Sequence, residues 1–413
     1  MRIGILLHPR NLFVLDLYER IHDVTEAVWV VDSAKIPLDP TYERLLRRLG
    51  PVADLAGLDP AEAADCLGAF RPDGVVTFVD DTIERTADLA ARLDLPYHTP
   101  AVASLMVDKR RQREVFEREG LPSAAFWPVP DGLHGASRAA FAQRVTYPSV
   151  LKPVRGSGSL DIQLVEDPGA LITALGGERI AGRSWIVEEY IPNTLESPED
   201  WYANYLSVES VVSNGELSHI GFCGRFPLAE PFRETGNFMP ALVPPGTEHS
   251  LLELVEDAVR ALGIRDSVLH TEIKLTADGP RLIEINGRLG GRPPFVLEEV
   301  SPVNLFAVTC QVAGGVPVKF EHLVETSGVG FWLMLHGPIS ARRVVAIEGL
   351  DRVAALDGVK VVRANREAGS DVDWRTGTDG HVVVVRGRAP DHRALADVVA
   401  AIRRSVVMTF ESR

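Results

Sequence analysis

One stretch of the sequence, 270–291, limits both the fold and the chemistry of this chain. Its residues, HTEIKLTADGPRLIEINGRLGG, alternate between apolar and polar on both sides of a Gly-Pro turn. This pattern predicts two antiparallel strands joined by a tight turn. A symmetric hairpin sets Glu272 opposite Glu284, with Leu282 on the same face as Glu284 and Ile283 on the other. Two facing carboxylates repel each other unless a cation offsets them.

Further polar residues share the charged face of the predicted hairpin. The same symmetry sets His270 opposite Asn286, and Arg288 follows two residues later. Mg²⁺ takes carboxylate and amide oxygens as ligands, usually together with phosphate oxygens, and a fixed arginine stabilises developing negative charge. The face therefore indicates a metal site formed by Glu272, Glu284 and Asn286. The alternative is a charged face that contacts only solvent.

Composition limits the classes of protein to which the chain can belong. It has 413 residues, of which 46% are hydrophobic and 24% are charged, as in globular proteins of two or three domains. The net charge of −14 argues against a protein that binds nucleic acid or an anionic membrane. Three separated cysteines, with no apolar run typical of a signal peptide or membrane span, favour a cytoplasmic protein.

The first hundred residues predict a parallel α/β sheet. The buried strands are predicted at 3–7, 28–31 and 75–79, and the helices at 39–49, 60–69 and 81–93. Asp80 and Asp81 follow the third strand, at the edge where α/β folds bind ligands. We favour the plainer interpretation that they cap the following helix.

Two lysines, one at the start of a helix and one just before a Gly/Ser loop, are candidates for binding an anion. The helix predicted at 105–120 has Asp108 as its N-cap and Lys109 in its first turn, which is the unfavourable end of the helix dipole for a cation. One interpretation is that Lys109 points at an anion. Lys152 interrupts an apolar strand just before 155–159, RGSGS, a loop whose backbone N–H groups can bind phosphate. The alternatives are a solvated helix face for Lys109 and a flexible turn for the loop.

The remaining segments carry weaker signals. The segment 221–240 is rich in Gly, Pro and Phe, and it predicts a long loop with little secondary structure. After residue 320 the pattern predicts strands at 329–335, 360–362 and 382–386 and a helix at 394–404. We interpret this region as a packed α+β domain without a recognisable site.

Four motifs, in this order, resemble the ATP-grasp superfamily of carboxylate–amine ligases. They are DKRRQREVFEREGLP at 108–122, YPSVLKPVRGSGS at 147–159, IVEEYI at 186–191 and HTEIKL…LIEINGRLGG at 270–291. Within the superfamily, the chain looks most like bacterial L-amino-acid ligases, which are dipeptide synthetases, and carnosine-synthase-like enzymes.

The resemblance implies an ATP-grasp fold of mixed α/β and α+β class. The first domain, 1–100, would be a Rossmann-like parallel-sheet domain. The ATP-grasp domain would span 101–315, with a small ATP-clamping subdomain at about 110–190. The last domain, 316–413, would be a C-terminal α+β closing domain.

The resemblance also implies roles for individual residues. Those implied to bind ATP are Lys109, Lys152, Ser157, Gly158, Ser159, Glu188, Glu189, Tyr190, Ile191 and Glu196. Those implied to bind Mg²⁺, or Mn²⁺ as an alternative, are Glu272, Glu284 and Asn286. Arg288 and Lys152 would be catalytic, with Arg288 stabilising an acyl phosphate and the tetrahedral intermediate. Residues implied to line the substrate pocket are Arg225, Glu234, Thr235, Gly236, Arg288, Gly290 and Gly291.

The implied reaction joins a carboxylate, expected to belong to an amino acid, to an amine through an acyl phosphate, with release of ADP and phosphate. The cofactors would be ATP and Mg²⁺, and the partners small-molecule carboxylates and amines rather than nucleic acid or membrane. A homodimer is the default assembly. The alternatives are a carboxylase or formyl-transferring enzyme of biotin or purine metabolism, a non-catalytic nucleotide-binding module, and a structural or interaction protein.

Overall fold

The computed structural model describes residues 1–8, 14–36, 38–192 and 200–412. Glu196, which the resemblance implies to bind ATP, lies outside the described residues. The helices in these ranges are α1 (Val14–Ile21), α2 (Pro40–Leu49), α3 (Pro60–Gly68), α4 (Ile83–Leu93), α5 (Pro100–Met106), α6 (Lys109–Arg118), α7 (Gly135–Ala142), α8 (Pro168–Leu175), α9 (Glu248–Leu262), α10 (Pro293–Leu297), α11 (Leu305–Ala313), α12 (Leu350–Ala354) and α13 (His392–Ser405). The strands there are β1 (Arg2–Leu6), β2 (Glu26–Val31), β3 (Val52–Asp54), β4 (Gly74–Thr77), β5 (Phe126–Pro128), β6 (Ser149–Pro153), β7 (Gln163–Val165), β8 (Trp185–Glu189), β9 (Tyr205–Ser213), β10 (Glu216–Arg225), β11 (Gly236–Met239), β12 (Ser267–Thr276), β13 (Gly279–Asn286), β14 (Val329–Leu335), β15 (Ala341–Glu348), β16 (Val359–Ala364), β17 (Val383–Ala389) and β18 (Val407–Ser412).

The first strands form the predicted parallel sheet, in the order β3-β2-β1-β4. Strand β2, EAVWVV, is buried along all but its first residue, as expected for a sheet covered by helices on both faces. Helices α2 and α3 begin after Asp39 and Asp59, whose carboxylates accept hydrogen bonds from the first-turn N–H groups. The α/β prediction is confirmed, although the sequence pattern missed the short strand β3.

A second sheet is antiparallel, in the order β5-β8-β6-β7. Its buried face carries Leu151 and Val187, which pack against Phe141 of α7 and Leu171 and Leu175 of α8. Strand β6 leads directly into the Gly/Ser loop, 155–159. This sheet therefore brings Lys152 of β6 beside Glu188 of β8.

The largest sheet in the described part of the chain is antiparallel and runs in the order β13-β12-β9-β10-β11-β14-β17-β16. The prediction of a long loop at 221–240 is wrong, because this segment supplies the end of β10 and all of β11. Glycine usually weakens a strand, but a Cβ at Gly224 would lie 2.3 Å from the Phe238 ring. Glycine is needed there because the ring lies directly over the backbone.

The region after residue 320 extends the same large sheet. Strand β14 pairs with β11 and β17, and β16 pairs with β17. Helix α13 covers this end through Leu395, Val399 and Ile402, which pack with Phe331 and Val385. The predicted α+β content is present, and the division of the chain at residues 100 and 315 stays a prediction. Within the described ranges, no helix is long and apolar enough to cross a membrane.

The hairpin β12–β13 has the predicted register near its charged end, with Glu272 opposite Glu284 and His270 opposite Asn286. The register shifts by one between this end and the turn, where Ile273 pairs with Leu282. The expected faces of Leu282 and Ile283 are therefore wrong. Leu282 is fully buried in the core, whereas the bulge at Ile283 turns that side chain toward a cavity.

Candidate active site

A cavity of about 1180 Å³ is lined by residues of the two antiparallel sheets that contain β6 and β12, by α1 and by the segment that follows β4. Many predicted site residues line it, namely Lys109, Lys152, Ser157, Gly158, Ser159, Glu188, Glu189, Tyr190, Ile191, Glu234, Glu272, Glu284, Arg288, Gly290 and Gly291. Residues far apart in the sequence thus face one space, which is typical of an active site.

Four predicted residues do not line the cavity: Asn286, Arg225, Thr235 and Gly236. The Thr235 hydroxyl donates to the Pro227 carbonyl at 2.7 Å. Gly236 packs so closely on β14 that a Cβ would lie 1.9 Å from the Trp332 carbonyl oxygen. Both residues therefore contact residues that line the cavity, Pro227 and Trp332, but do not line it themselves.

Lys109 is the first residue of α6, after the N-cap Asp108. Its Nζ lies 3.0 Å from Glu284 Oε1 and donates to the Gly156 carbonyl at 2.6 Å. Burial lowers the pKa of Lys109, but the carboxylates of Glu284 and Asp80 outweigh burial and hold the pKa above its usual value. A solvated helix face is therefore excluded for this residue, which links the hairpin to the Gly/Ser loop as a buried cation.

Lys152 forms a second buried charge cluster with Glu188 and Arg113. Lys152 Nζ lies 2.6 Å from Glu188 Oε2, and Arg113 Nε lies 3.0 Å from Glu188 Oε1. Burial lowers the pKa of Lys152, and it would raise that of Glu188, but Arg113 and Lys152 hold the carboxyl below its usual pKa. The sequence analysis missed Arg113, although its position four residues after Lys109 places it on the same helix face.

The segment after β8 is held by backbone and side-chain contacts. Glu189 N donates to the Ala125 carbonyl at 2.8 Å, and Tyr190 N donates to the Pro148 carbonyl at 3.2 Å. The Glu189 carboxylate accepts hydrogen bonds from Arg281 at 2.6 and 3.0 Å. The ATP contacts implied at Glu188, Glu189, Tyr190 and Ile191 stay predictions. The Glu189 side chain ties this segment to β13 through Arg281.

Glu272, one of the two facing carboxylates of the hairpin, is held in its ionised form by its neighbours. Burial would raise the pKa of Glu272, but a hydrogen bond and the positive charge from His270, with Arg225, lower it to about 2. The His270 Nε2 lies 3.4 Å from Glu272 Oε1, and Glu284 pairs with Lys109 as described. Ionised carboxylates that face a cavity have the hard oxygen ligands that suit Mg²⁺.

The third predicted metal ligand has a different setting. Asn286 Oδ1 accepts from Arg288 Nη2 at 3.5 Å, and its Nδ2 donates to the His270 carbonyl at 3.3 Å. Among the described residues, no group of three or more His, Cys, Asp or Glu side chains is arranged to hold a metal ion. Glu272 and Glu284 therefore fit a metal that also takes oxygens from a ligand, and the role of Asn286 stays a prediction.

A buried network lies beneath Glu272. His270 Nδ1 lies 2.7 Å from Oε1 of Glu209, a fully buried residue on β9. Burial lowers the pKa of His270, but the Glu209 carboxylate outweighs burial and raises it to about 9. The ring is therefore protonated at neutral pH and bridges Glu209 and Glu272. Because a protonated ring has no free lone pair, the 3.1 Å approach of Arg225 Nη2 to Nε2 is a contact between two donors.

Arg225 and Glu234 form the other side of this network. Arg225 is 1% exposed, and its Nε donates to Glu234 Oε1 at 3.3 Å. Arg292 donates to Glu234 Oε2 at 3.1 Å from the opposite side. Arg225 therefore holds the Glu234 carboxylate in place from outside the cavity, and Glu234 is the residue of this pair that lines the cavity.

Arg288 is fixed by a two-point ion pair with Asp80. Its Nε donates to Asp80 Oδ1 at 3.0 Å, and its Nη2 donates to Oδ2 at 2.6 Å. The helix-capping interpretation is wrong for Asp80, since α4 has Thr82 as its N-cap and no side-chain capping bond. Asp80 begins the 3₁₀ turn Asp80–Thr82 that follows β4, and its carboxylate meets Arg288, which follows β13.

The region after residue 320 also contributes to the cavity wall, which the sequence analysis did not predict. The lining residues from this region are Trp332, Val361, Arg363, Asn365, Asp379, His381, Val384 and Arg386. They lie on separate strands and turns that only the assembled sheet brings together. Burial lowers the pKa of His381 to about 4, so this imidazole is neutral at pH 7.

Part of the chain is similar to known proteins. Residues 145–293 match the family model described as the ATP-grasp domain. The chain is 31% identical to carnosine synthase 1 of Gallus gallus over 241 residues, which cover 54% of this chain and 25% of that protein. It is 25% identical to the alanine–anticapsin ligase of Bacillus subtilis, over 56% of this chain and 51% of that protein. The chain thus spans about a quarter to a half of the length of these curated relatives.

The fold has been seen before over its whole length. The crystal structure of the L-amino acid ligase from Bacillus licheniformis matches with a TM-score of 0.76 at 19% identity, covering 100% of this chain and 99% of that one. At this identity the match shows the fold alone. The family-model match thus identifies an ATP-grasp domain at residues 145–293, and the structural match shows the fold of the whole chain.

Proposed function

We propose that the protein joins the carboxylate of an amino acid to an amine, through an acyl phosphate, with release of ADP and phosphate. The observation that carries the proposal is the charge arrangement at the end of the hairpin. Arg288, fixed by Asp80, and Lys109, fixed by Glu284, line the same cavity. The names of the relatives, an alanine–anticapsin ligase and a carnosine synthase, support amide formation between amino acids or their analogues.

The first step needs positive charge, because a carboxylate attacks the γ-phosphate and both are anions. Lys109 and Lys152 supply two buried ammonium groups at the cavity wall. Glu272 and Glu284 would hold Mg²⁺, which neutralises charge on the phosphates. The Gly/Ser loop, with Ser157, Gly158 and Ser159, would lie over the phosphates.

The second step releases phosphate when the amine attacks the acyl carbon. Negative charge then develops on the carbonyl oxygen, and a guanidinium held in one position stabilises it without reorganising. The two hydrogen bonds that Arg288 donates to Asp80 hold its guanidinium in that fixed position. Glu234, Gly290 and Gly291, which also line the cavity, would bind the substrates near this arginine.

The proposal is tested by incubating the protein with ATP, Mg²⁺ and pairs of amino acids. We expect ADP release that requires both members of a pair, together with an amide product of matching mass. Arg288→Ala should abolish both, whereas Arg343→Ala, which removes an exposed arginine that does not line the cavity, should leave them unchanged. ADP release stimulated only by bicarbonate or formate would instead indicate a carboxylase or formyl-transferring enzyme. Full activity of Arg288→Ala would refute its catalytic role.

A further inference from the structure

The Gly/Ser loop is held by contacts from several parts of the chain. Arg155 forms an ion pair with Glu84 of α4, at 2.6 and 2.9 Å, and Lys109 Nζ donates to the Gly156 carbonyl at 2.6 Å. Arg155 and Glu84 are both about half exposed, and an exposed pair contributes little to stability. The loop therefore depends on its other, buried contacts.

One buried contact comes from the 3₁₀ segment Trp374–Gly380, between β16 and β17. Thr378 N donates to the Gly158 carbonyl at 2.9 Å. The Thr378 hydroxyl accepts a hydrogen bond from Glu234 N at 3.2 Å. Thr378 itself is fully buried. This residue thus bonds at once to the loop of the proposed phosphate site and to the backbone of the proposed substrate wall.

The neighbouring residue allows the two segments to approach. Gly377 has φ of 65° and ψ of −140°, a conformation that side chains other than glycine rarely adopt. A Cβ there would lie 2.2 Å from the Gly158 carbonyl oxygen. Any larger residue at Gly377 would therefore push the 3₁₀ segment away from the loop.

We propose that Thr378 is a positioning residue that holds the Gly/Ser loop closed and ties its closure to the position of Glu234. The chemical consequence of loop opening rests on the proposed function. An open loop admits water to the acyl phosphate. Water then attacks the acyl carbon, the bond from that carbon to the phosphate oxygen breaks, and carboxylate and phosphate leave without an amide. Closing the site prevents this loss.

The first test compares Thr378→Val with Thr378→Ser. Valine keeps the shape of threonine but removes the acceptor for Glu234 N, whereas serine keeps the hydroxyl. We expect Thr378→Val to lower the ratio of amide formed to phosphate released by about fivefold, as loss of one hydrogen bond implies. Thr378→Ser should restore the ratio to within about twofold of wild type. An unchanged ratio in Thr378→Val overturns the proposal, since a merely structural defect would lower amide and phosphate together.

The second test needs no ligase activity. Trypsin cleavage after Arg155 reports whether the loop is open, and we expect ADP with Mg²⁺ to slow it in the wild-type protein at least fivefold. Gly377→Ala should lose this protection. Gly369→Ala is the matched control, because Gly369 also has positive φ but has open space around its Cβ position, and it should keep full protection.

The two tests separate the possible failures. If Gly377→Ala and the wild-type protein are protected equally, the proposal that Thr378 holds the loop closed is overturned, whether or not an amide forms. If the wild-type protein forms no amide with any pair of amino acids but Gly377→Ala still loses protection, the proposed function fails. The proposal that Thr378 holds the loop closed then stands. Circular dichroism of each variant checks that it is folded. Thr378→Val, which keeps Gly377 and its backbone conformation, provides a second variant for the protease assay and should also lose protection.

Discussion

The buried pair of His270 and Glu209 predicts an unusual dependence of stability on pH. The pKa of His270 is raised from 6.5 to about 9, so the folded protein holds this proton more tightly than the unfolded chain. A raised pKa contributes stability that is complete below pH 6.5 and is lost as the pH rises through about 9. The shift of about two and a half pKa units corresponds to on the order of 3 kcal/mol.

The substitution Glu209→Gln isolates this pH-dependent contribution of His270 to stability. The substitution keeps the size of the side chain and an oxygen that can accept from Ser207, which donates to Glu209 Oε1 at 2.7 Å. It removes the negative charge that raises the pKa of His270 most strongly. The variant should therefore lose the stabilisation that depends on the proton.

The assay is urea unfolding followed by tryptophan fluorescence at several pH values between 6 and 9.5. We expect the difference in unfolding free energy between wild type and Glu209→Gln to shrink by on the order of 3 kcal/mol from pH 6.5 to 9.5. Glu216→Gln, on an exposed position of β10, is the control and should show a constant difference. A difference for Glu209→Gln that is constant or grows with pH would show that His270 is not protonated.

Three further predictions concern the other ion pairs of the site. In a double-mutant cycle of Asp80→Asn and Arg288→Lys, kcat should show a coupling energy of about 0.5–3 kcal/mol, because Asp80 orients the guanidinium. Glu284→Gln should weaken ATP binding in calorimetry at least tenfold with Mg²⁺ present and much less without it, since the carboxylate is the proposed metal ligand. Lys152→Met should cost on the order of 3–5 kcal/mol in thermal unfolding, because it leaves the buried Glu188 with one cation fewer.

Each of these predictions has an outcome that contradicts it. Additive effects of the two substitutions would show that Asp80 does not act through Arg288. An equal loss of ATP affinity with and without Mg²⁺ would assign Glu284 only to holding Lys109. If Lys152→Met is as stable as wild type, Arg113 alone neutralises Glu188. Adding Glu188→Gln to Lys152→Met should recover part of the lost stability.

Local patterns predicted much of the fold and of the hairpin. The parallel strands are buried apolar runs, and the facing of Glu272 and Glu284 follows from the alternation around the turn. The bulge at Ile283 could not be read in this way, because one extra residue in a strand leaves no mark on composition. Strand β10 was missed since Gly224, which signals a loop locally, makes room for a ring from a later strand.

The partners of the site residues could not be predicted, because they depend on contacts between distant segments. Asp80 and Arg288 are 208 positions apart, and Glu209 meets His270 only because β9 lies beside β12. Thr378 bonds to Gly158 across an even longer stretch of chain. Sequence patterns indicated Lys109, Lys152, Glu272, Glu284 and Arg288, which line the cavity. They did not indicate Arg113 or the role of Asp80, because the assembled sheets determine which charged groups pair.

The measurement that tests the acyl-phosphate route most directly uses a substrate amino acid labelled with ¹⁸O in its carboxylate. The carboxylate oxygen that attacks the γ-phosphate stays with the phosphate when the amine displaces it. Mass spectrometry of the released phosphate should therefore find one ¹⁸O atom for each amide formed. Unlabelled phosphate alongside amide, or ¹⁸O in AMP instead, would contradict an acyl phosphate and the roles assigned to Lys109, Lys152 and Arg288.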